Sequence, residues 1–343
     1  MNQAQWDTLL AVVGGERVDP PPVGFIIDSP WLPNWAGMSI LDYLASERLW
    51  LEANRKAIER FPEALFLPGF WSEFGMCTEP SAFGARPVWH ENEFPYAEPT
   101  IGSTDEIAVL AVPDPSRHGL PPLVLKRLVH ARPAIEEAGH AVRFAVARGP
   151  LNIAAFLMGN TEFLVALKVE PDRIHALLAK VTGFLVAWLR LQAETIETID
   201  GIFLLDDIVG FVGEDDFRAF ARPHLERAFA AFDAKVRFFH NDAQGRVCAP
   251  HLADIGVNLF NFSCDHSFAE MQAWTGGKVA LVGNIPPRDV LAAGTPDDVR
   301  AAVATARDGL DDTTRLVLSC GGGMPPGVPT ENIDAFLEAA GRG

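Results

Sequence analysis

The sequence predicts a (β/α)8 barrel, the TIM-barrel form of the α/β class, with an insertion between its second and third strands. Three observations predict it. Eight short runs of apolar, largely β-branched or aromatic residues recur through 343 residues, separated by longer segments of helical periodicity. Most of these runs are apolar at nearly every position, as strands covered on both faces must be. Each run also ends in polar, titratable or glycine residues, and in a barrel the C-terminal strand ends carry the chemistry.

Taken in order, the strands are Val23–Ile27, Ala64–Leu67, Val142–Ala147, Gly201–Leu205, Val236–His240, Val257–Phe262, Val279–Val282 and Leu316–Ser319. They run into Asp28-Ser29-Pro30-Trp31, Pro68-Gly69-Phe70-Trp71 with Glu73 beyond, Arg148-Gly149-Pro150-Leu151-Asn152, Asp206-Asp207, His240-Asn241-Asp242, Ser263-Cys264-Asp265-His266, Gly283-Asn284-Ile285-Pro286, and Cys320-Gly321-Gly322-Gly323. Helices are predicted over Ser39–Arg60, Thr161–Thr198 (broken at Glu170-Pro171), Asp215–Ala234, Phe268–Thr275, Thr295–Arg307 and Glu331–Ala340. Thr295-Pro296-Asp297-Asp298 supplies a cap with proline at the first helical position. Residues 71–140 are longer than one βα connection needs. They hold a possible hairpin, FGARPVWHENEFPYAEPT, and a helix over Leu123–Glu137, and read as a lid or wall within a single domain spanning 1–343. The runner-up, an open doubly wound sheet, lacks a GxGxxG or GxxxxGK[ST] motif after any strand.

Composition bounds the partners. Lys plus Arg number 28 and Asp plus Glu 45, a net charge of −17, and no basic run exists. That excludes a nucleic-acid or anionic-membrane partner as the expectation, because phosphate binding relies on clustered cations. Four cysteines without a CxxC pair read as free thiols. No basic-then-apolar leader opens the chain, and no continuous apolar run reaches the roughly 18 residues of a membrane span. The expectation is a cytoplasmic protein acting on a small molecule.

Within the strand ends, His240 and Asp242 stand two apart and so point the same way. Imidazole plus carboxylate is half of a divalent-metal site, with Cys320 as a third ligand; a substrate contact, or a plain hydrogen bond between the two, are the alternatives. Asp206 and Asp207 point to opposite faces, so one of them can be a general base or substrate clamp, the other a helix-start or loop carboxylate. Asp28 closes the pocket. Trp31, Asn152, Asp265 and Gly322 are the substrate-contact candidates, the glycine because backbone can approach a ligand closely there. Cys264 with His266 is a weaker nucleophile candidate without an orienting third group.

The runs ARGPLNIAAFLMGNTEFLVALKVEPDRIHALLAKVT, DGIFLLDDIVGFVGEDDFRAFARPHLERAF, RFFHNDAQGRVCAPHLADIGVNLFNFSCD, KVALVGNIPPRDVLAAGTPDDV and LVLSCGGGMPPGVPTENIDAF resemble the uroporphyrinogen decarboxylase superfamily over roughly residues 60–340. The resemblance implies a (β/α)8 barrel and one of two chemistries: cofactor-free decarboxylation, or zinc-dependent methyl transfer with a separate corrinoid protein. The decarboxylases' arginine-rich RQAGRY segment corresponds to IIDSPWLPNWAG, which has no arginine; their Tyr falls on Phe156 and their loop His on Gly322. Loss of the guanidinium groups removes the grip on a polycarboxylate. In the methyltransferase pattern, His240 matches the His of a His-x-Cys motif, Asp242 stands at its Cys, and the distant Cys aligns with Gly322, two residues after Cys320. The resemblance therefore favours metal-assisted methyl transfer with zinc or another divalent ion. Decarboxylation of a carboxylated substrate, and a non-catalytic binding barrel, stand as alternatives.

Overall fold

The computed structural model describes residues 1–28, 30–308, 310 and 312–342. Ser29, part of the first strand end named above, lies outside the described residues. The strands are β1 (Val23–Ile26), β2 (Ala64–Leu67), a short hairpin of β3 (Pro87–Val88) and β4 (Tyr96–Ala97), β5 (Phe144–Arg148), β6 (Gly201–Leu205), β7 (Val236–Asn241), β8 (Leu259–Phe262), β9 (Ala280–Ile285) and β10 (Leu316–Cys320). Eight of them form one all-parallel curled sheet in the order β2-β1-β10-β9-β8-β7-β6-β5, the arrangement of a TIM-barrel-like α/β fold. The hairpin forms its own two-stranded antiparallel sheet, with Pro87 opposite Ala97 and Val88 opposite Tyr96.

Alternation along these strands sorts the side chains into two cores. Ile26, Leu67, Phe144, Phe203, Phe238, Leu259, Val282 and Val317 pack together on the inner side, and every one of the eight strands contributes. Phe203 and Phe238 stack there with ring centroids 4.4 Å apart. Helix α1 (Gln3–Gly14), which the sequence reading left unassigned, joins this inner core through Trp6, Leu9 and Val12, with Trp6 edge-on to Phe144. Asn2 and Gln5 form its capping box. The outer core lies between sheet and helices and includes Phe25, Leu204, Phe239, Phe260, Leu318 and Cys320.

The predicted helix over 39–60 is broken at Ser46, whose side chain caps the second piece; the preceding helices are α2 (Leu32–Ala36), α3 (Ile40–Ala45) and α4 (Glu47–Arg60). Between β2 and β5 lie α5 (Thr78–Ala82), the hairpin, a 3-10 turn (Thr104–Ala108) and α6 (Pro121–Glu137). After β5 come α7 (Pro150–Met158), α8 (Asn160–Val169) and α9 (Pro171–Thr195), with the break at Glu170-Pro171 as predicted. Helix α7 is not among the helices predicted from the sequence. The segment predicted as one helix over 215–234 is divided into Glu214–Asp216, a π-helical turn Phe217–Ala221 and Arg222–Phe229. By length and apolarity α9 could span a membrane, although the sequence has no continuous apolar run of that length. Its buried side, including Leu177, Phe184, Trp188 and Leu189, packs within the fold.

Candidate active site

The C-terminal strand ends hold the polar residues, and strand alternation decides which of them face inward. On β7, Val236 and Phe238 belong to the inner core, so His240 and, two further on, Asp242 follow on that side. On β6, Phe203 and Leu205 are inner, so Asp206 turns outward and Asp207 inward. The side-chain ligand atoms of Asp207, His240 and Asp242 all lie within 4.8 Å of one another. His240 Nε2 is 3.6 Å from Asp207 Oδ1 and 3.9 Å from Asp242 Oδ2. The Asp242 backbone N–H donates to Asp207 Oδ1 at 3.2 Å, which ties the two loops together.

The orientation of His240 is fixed from behind. Asn261, in register with His240 on the neighbouring β8, is fully buried. Its amide nitrogen donates to Val282 O at 2.9 Å and to Cys320 O at 3.2 Å. Its Oδ1 must therefore face His240 Nδ1, 2.7 Å away, and Nδ1 must be the donor. So held, the ring turns Nε2 towards two carboxylates. Two carboxylates beside one ring nitrogen in a partly dry pocket call for a positive charge, which a proton on the ring or a bound divalent cation would supply. A metal-binding histidine backed by a hydrogen-bond acceptor on its other nitrogen is the usual support of such sites. The residues present therefore fit a divalent metal. Burial pushes the Asp242 carboxyl upward, His240 pulls it back and Asp207 raises it again.

A second acidic group flanks this one. Asp28 continues the inner side of β1, where Ile26 is inner and Ile27 outer. Arg148 ends the inner side of β5 and donates from Nη2 to Glu73 Oε2 at 2.7 Å. The Arg148 backbone N–H donates to Glu79 Oε1 at 3.3 Å. Burial pushes the Asp28 carboxyl up to about 6 against the pull of Arg148 and His240, and Glu79 likewise to about 6. Glu73 rises well above the usual range for the same reason. Burial alone would lower Arg148, but Glu73, Glu79 and Asp28 outweigh it and keep the guanidinium protonated.

The sequence-based candidates separate accordingly. His240, Asp242, Asp207 and Asp28 come together. Cys320, expected as the third metal ligand, is corrected: it lies in the outer core, outside the ligand group, because Val317 is inner and the alternation turns residue 320 away. Its thiol donates to Gly322 O, and burial pushes its pKa up to about 12, which disfavours the thiolate a metal requires. Asp206 is likewise outside the group. It is fully buried and accepts the backbone N–H groups of Leu151 and Asn152, both at 2.9 Å, at the start of α7. Gly149 permits this approach, since a Cβ there would sit 2.3 Å from Asp206 Oδ2. Asn152 is engaged with Leu205 O and the Ile208 N–H, and Trp31 is buried in the outer core, donating to Val328 O. Asp265 is exposed on the loop after β8. Gly322, with φ near +131°, does reach the ligand group: a Cβ on it would lie 3.1 Å from Asp242 Oδ2. Glu73, Glu79, Arg148 and Asn261 were not assigned roles from sequence. Asn261 was the legible one, a polar residue inside the apolar run Val257–Phe262.

The family model for uroporphyrinogen decarboxylase (URO-D) matches residues 4–342. The chain belongs to the uroporphyrinogen decarboxylase family. Relatives in that family include uroporphyrinogen decarboxylases of Thioalkalivibrio sulfidiphilus, 23% identical with 98% of both chains covered, and of Hydrogenovibrio crunogenus, 24% identical with 99% of this chain and 97% of that one covered. The Pelodictyon phaeoclathratiforme decarboxylase is 28% identical over 191 residues, and there the match spans 53% of the relative's length. A solved methyltransferase from Methanosarcina mazei superposes with a TM-score of 0.81 over 98% of both chains at 22% identity, so the two share a fold.

Proposed function

We propose that this family member is a divalent-metal-assisted methyltransferase, with the metal held by Asp207, His240 and Asp242 at the mouth of a (β/α)8 barrel and the methyl group passing between a small molecule and the corrinoid of a separate protein. The observation that carries the reading is the hydrogen bond between His240 Nδ1 and Asn261 Oδ1, which leaves Nε2 facing two carboxylates. A donor set of one nitrogen and two oxygens suits zinc or another divalent first-row ion. When bound, such an ion lowers the cost of forming an anionic nucleophile or leaving group near neutral pH.

The protein's own groups do the rest. Asn261 holds the imidazole. Asp28, half-buried and raised to about 6, can hold or release a proton at the mouth. Phe94, on the turn between β3 and β4, lies over the Arg148 guanidinium at 5.9 Å, which supports a wall or lid role for residues 71–140 within a single domain. Fold likeness to a methyltransferase supports this branch only as far as architecture.

A second reading, metal-free decarboxylation, is favoured by the names of the full-length relatives and by the raised Asp28 carboxyl. Against it, Asp28, Glu73, Glu79 and Asp207 surround one arginine that Glu73 already occupies, so a polycarboxylate would meet repulsion. Metal analysis of protein purified without chelators separates the readings. We expect one divalent ion per chain, lost in His240→Ala and Asp207→Ala and kept in Cys320→Ser. A metal-free wild type that releases CO2 from a carboxylated substrate would overturn the proposal.

A further inference from the structure

We propose that a closed cavity behind Arg148 is the binding site of one structural water, which bridges Ser72, Glu79 and Trp188 and fastens the loop after β2 to the helix layer. Ser72, Glu79, Ala147, Arg148 and Trp188 are among the residues that bound the cavity, which leaves about 10 Å³ for the centre of a water molecule. That is room for one water and for nothing larger. The cavity is sealed from solvent, with Ser72 5%, Glu79 3% and Trp188 1% exposed.

The polar lining calls for an occupant. The buried Ser72 hydroxyl has no hydrogen-bond partner among the described residues, and neither has the Trp188 indole N–H. Trp188 is near enough to Glu79 to pull its carboxyl downward, yet the geometry of a direct hydrogen bond is not met. Glu79 Oε1 accepts the Arg148 backbone N–H at 3.3 Å, which leaves acceptor capacity on the carboxyl. A buried hydroxyl and a buried indole N–H left unpaired are each costly. One water removes both costs: it accepts from Trp188 Nε1, donates to Glu79 and makes its third bond with Ser72 Oγ. Three polar partners are the usual complement of a buried water. A cation is unsuited, because the indole N–H would present its positive end to it, and an apolar occupant would leave every one of these groups unpaired. The partners come from separate parts of the chain. Ser72 precedes Glu73, whose carboxyl is engaged by Arg148 and Asp28, while Glu79 stands on α5 and Trp188 on α9. The water therefore ties three segments together directly behind the arginine that faces the mouth.

The test is a crystal structure of the full chain at a resolution that orders buried water, paired with thermal unfolding of Ser72→Ala, Trp188→Phe and the double variant. A water peak within hydrogen-bonding distance of Ser72 Oγ, Trp188 Nε1 and Glu79 is the expected result. Each single variant should lower the Tm, since it takes one partner from the water. The double variant should lose less than the two losses combined, since both act on the same molecule. A dry cavity predicts the opposite at the serine: Ser72→Ala would delete an unpaired buried hydroxyl and leave the Tm unchanged or higher. A well-ordered cavity without a water peak overturns the proposal. So does a Ser72→Ala Tm at or above that of wild type, or strict additivity of the two substitutions. Should Trp188→Phe fail to fold, the wild-type crystal structure and Ser72→Ala decide between them.

Discussion

Replacing Asn261 tests the metal site from behind, without touching a ligand. Asn261→Ala leaves the buried His240 Nδ1–H without its acceptor and takes one donor each from Val282 O and Cys320 O, the latter still accepting from the Gly322 N–H. The orphaned Nδ1–H costs about 1–3 kcal/mol and each carbonyl loses one hydrogen bond worth about 1 kcal/mol or less, so the metal-free protein should lose roughly 2–4 kcal/mol. Metal affinity should fall about 10–100-fold, because an unsupported imidazole rotates and is less basic. At a metal concentration of about 100 Kd the bound ion adds about 2.7 kcal/mol of stability; a tenfold weaker site keeps about 1.4 and a hundredfold weaker one about 0.4 kcal/mol. Asn261→Asp makes the contrast sharp. It still accepts from His240 Nδ1–H, now with a charge, but it sets an oxygen against the Val282 and Cys320 carbonyls. Folding stability should therefore drop while metal affinity holds or rises. The assay is competition against a chromophoric chelator, paired with unfolding in chelator. If Asn261→Ala keeps its metal affinity within about twofold while folded, or the aspartate variant loses as much affinity as the alanine, then Asn261 does not orient a ligand and the reading of His240 fails.

Two further outcomes follow from the same geometry. Asp206→Ala should unfold roughly 2–5 kcal/mol more easily, since it orphans the Leu151 and Asn152 N–H groups, while its metal content stays that of wild type; calorimetry and metal analysis together check this, and metal loss without a stability change would contradict the outward placement. Asp28 has a folded pKa raised from 3.8 to about 6, so its protonated form is favoured by folding. Its contribution to stability is present below the unfolded value and is lost as pH climbs towards about 6. Asp28→Asn should therefore gain stability relative to wild type between pH about 4 and about 6, read from paired denaturation curves, whereas a difference independent of pH would show that Asp28 ionises freely.

The strands were legible because a parallel sheet covered on both faces needs runs apolar at every position, and GIFLL and LVLS have no other use. That same property hides which way the next residue points. Nothing in GIFLL distinguishes inner from outer, so Asp206 and Asp207 could not be ranked, and LVLSC gave no reason to doubt that Cys320 faces the mouth. His240 and Asp242 fared better because spacing by two is independent of the absolute direction. Helix α1 escaped although Asn2 and Gln5 spell its capping box and Trp6, Leu9 and Val12 recur at helical spacing. Glu73 and Arg148 were visible only as residues near strand ends, since their pairing across 75 positions depends on β2 and β5 standing at the two ends of the sheet order.

Adjacent carboxylates on β6 therefore have unrelated employment. Asp206 serves the N-terminus of α7, where its two carboxyl oxygens accept the two N–H groups that the helix leaves free. Asp207, one residue on, faces His240 across the mouth. A substitution at either position would read as the same loss of an acid in a sequence comparison, yet one would weaken the scaffold and the other the site. At identities of 22–24% to full-length relatives and neighbours, roles consequently cannot be passed along an alignment by residue type. They pass only where strand direction is preserved, and here direction favours a ligand set of Asp207, His240 and Asp242 over one that includes the neighbouring thiol.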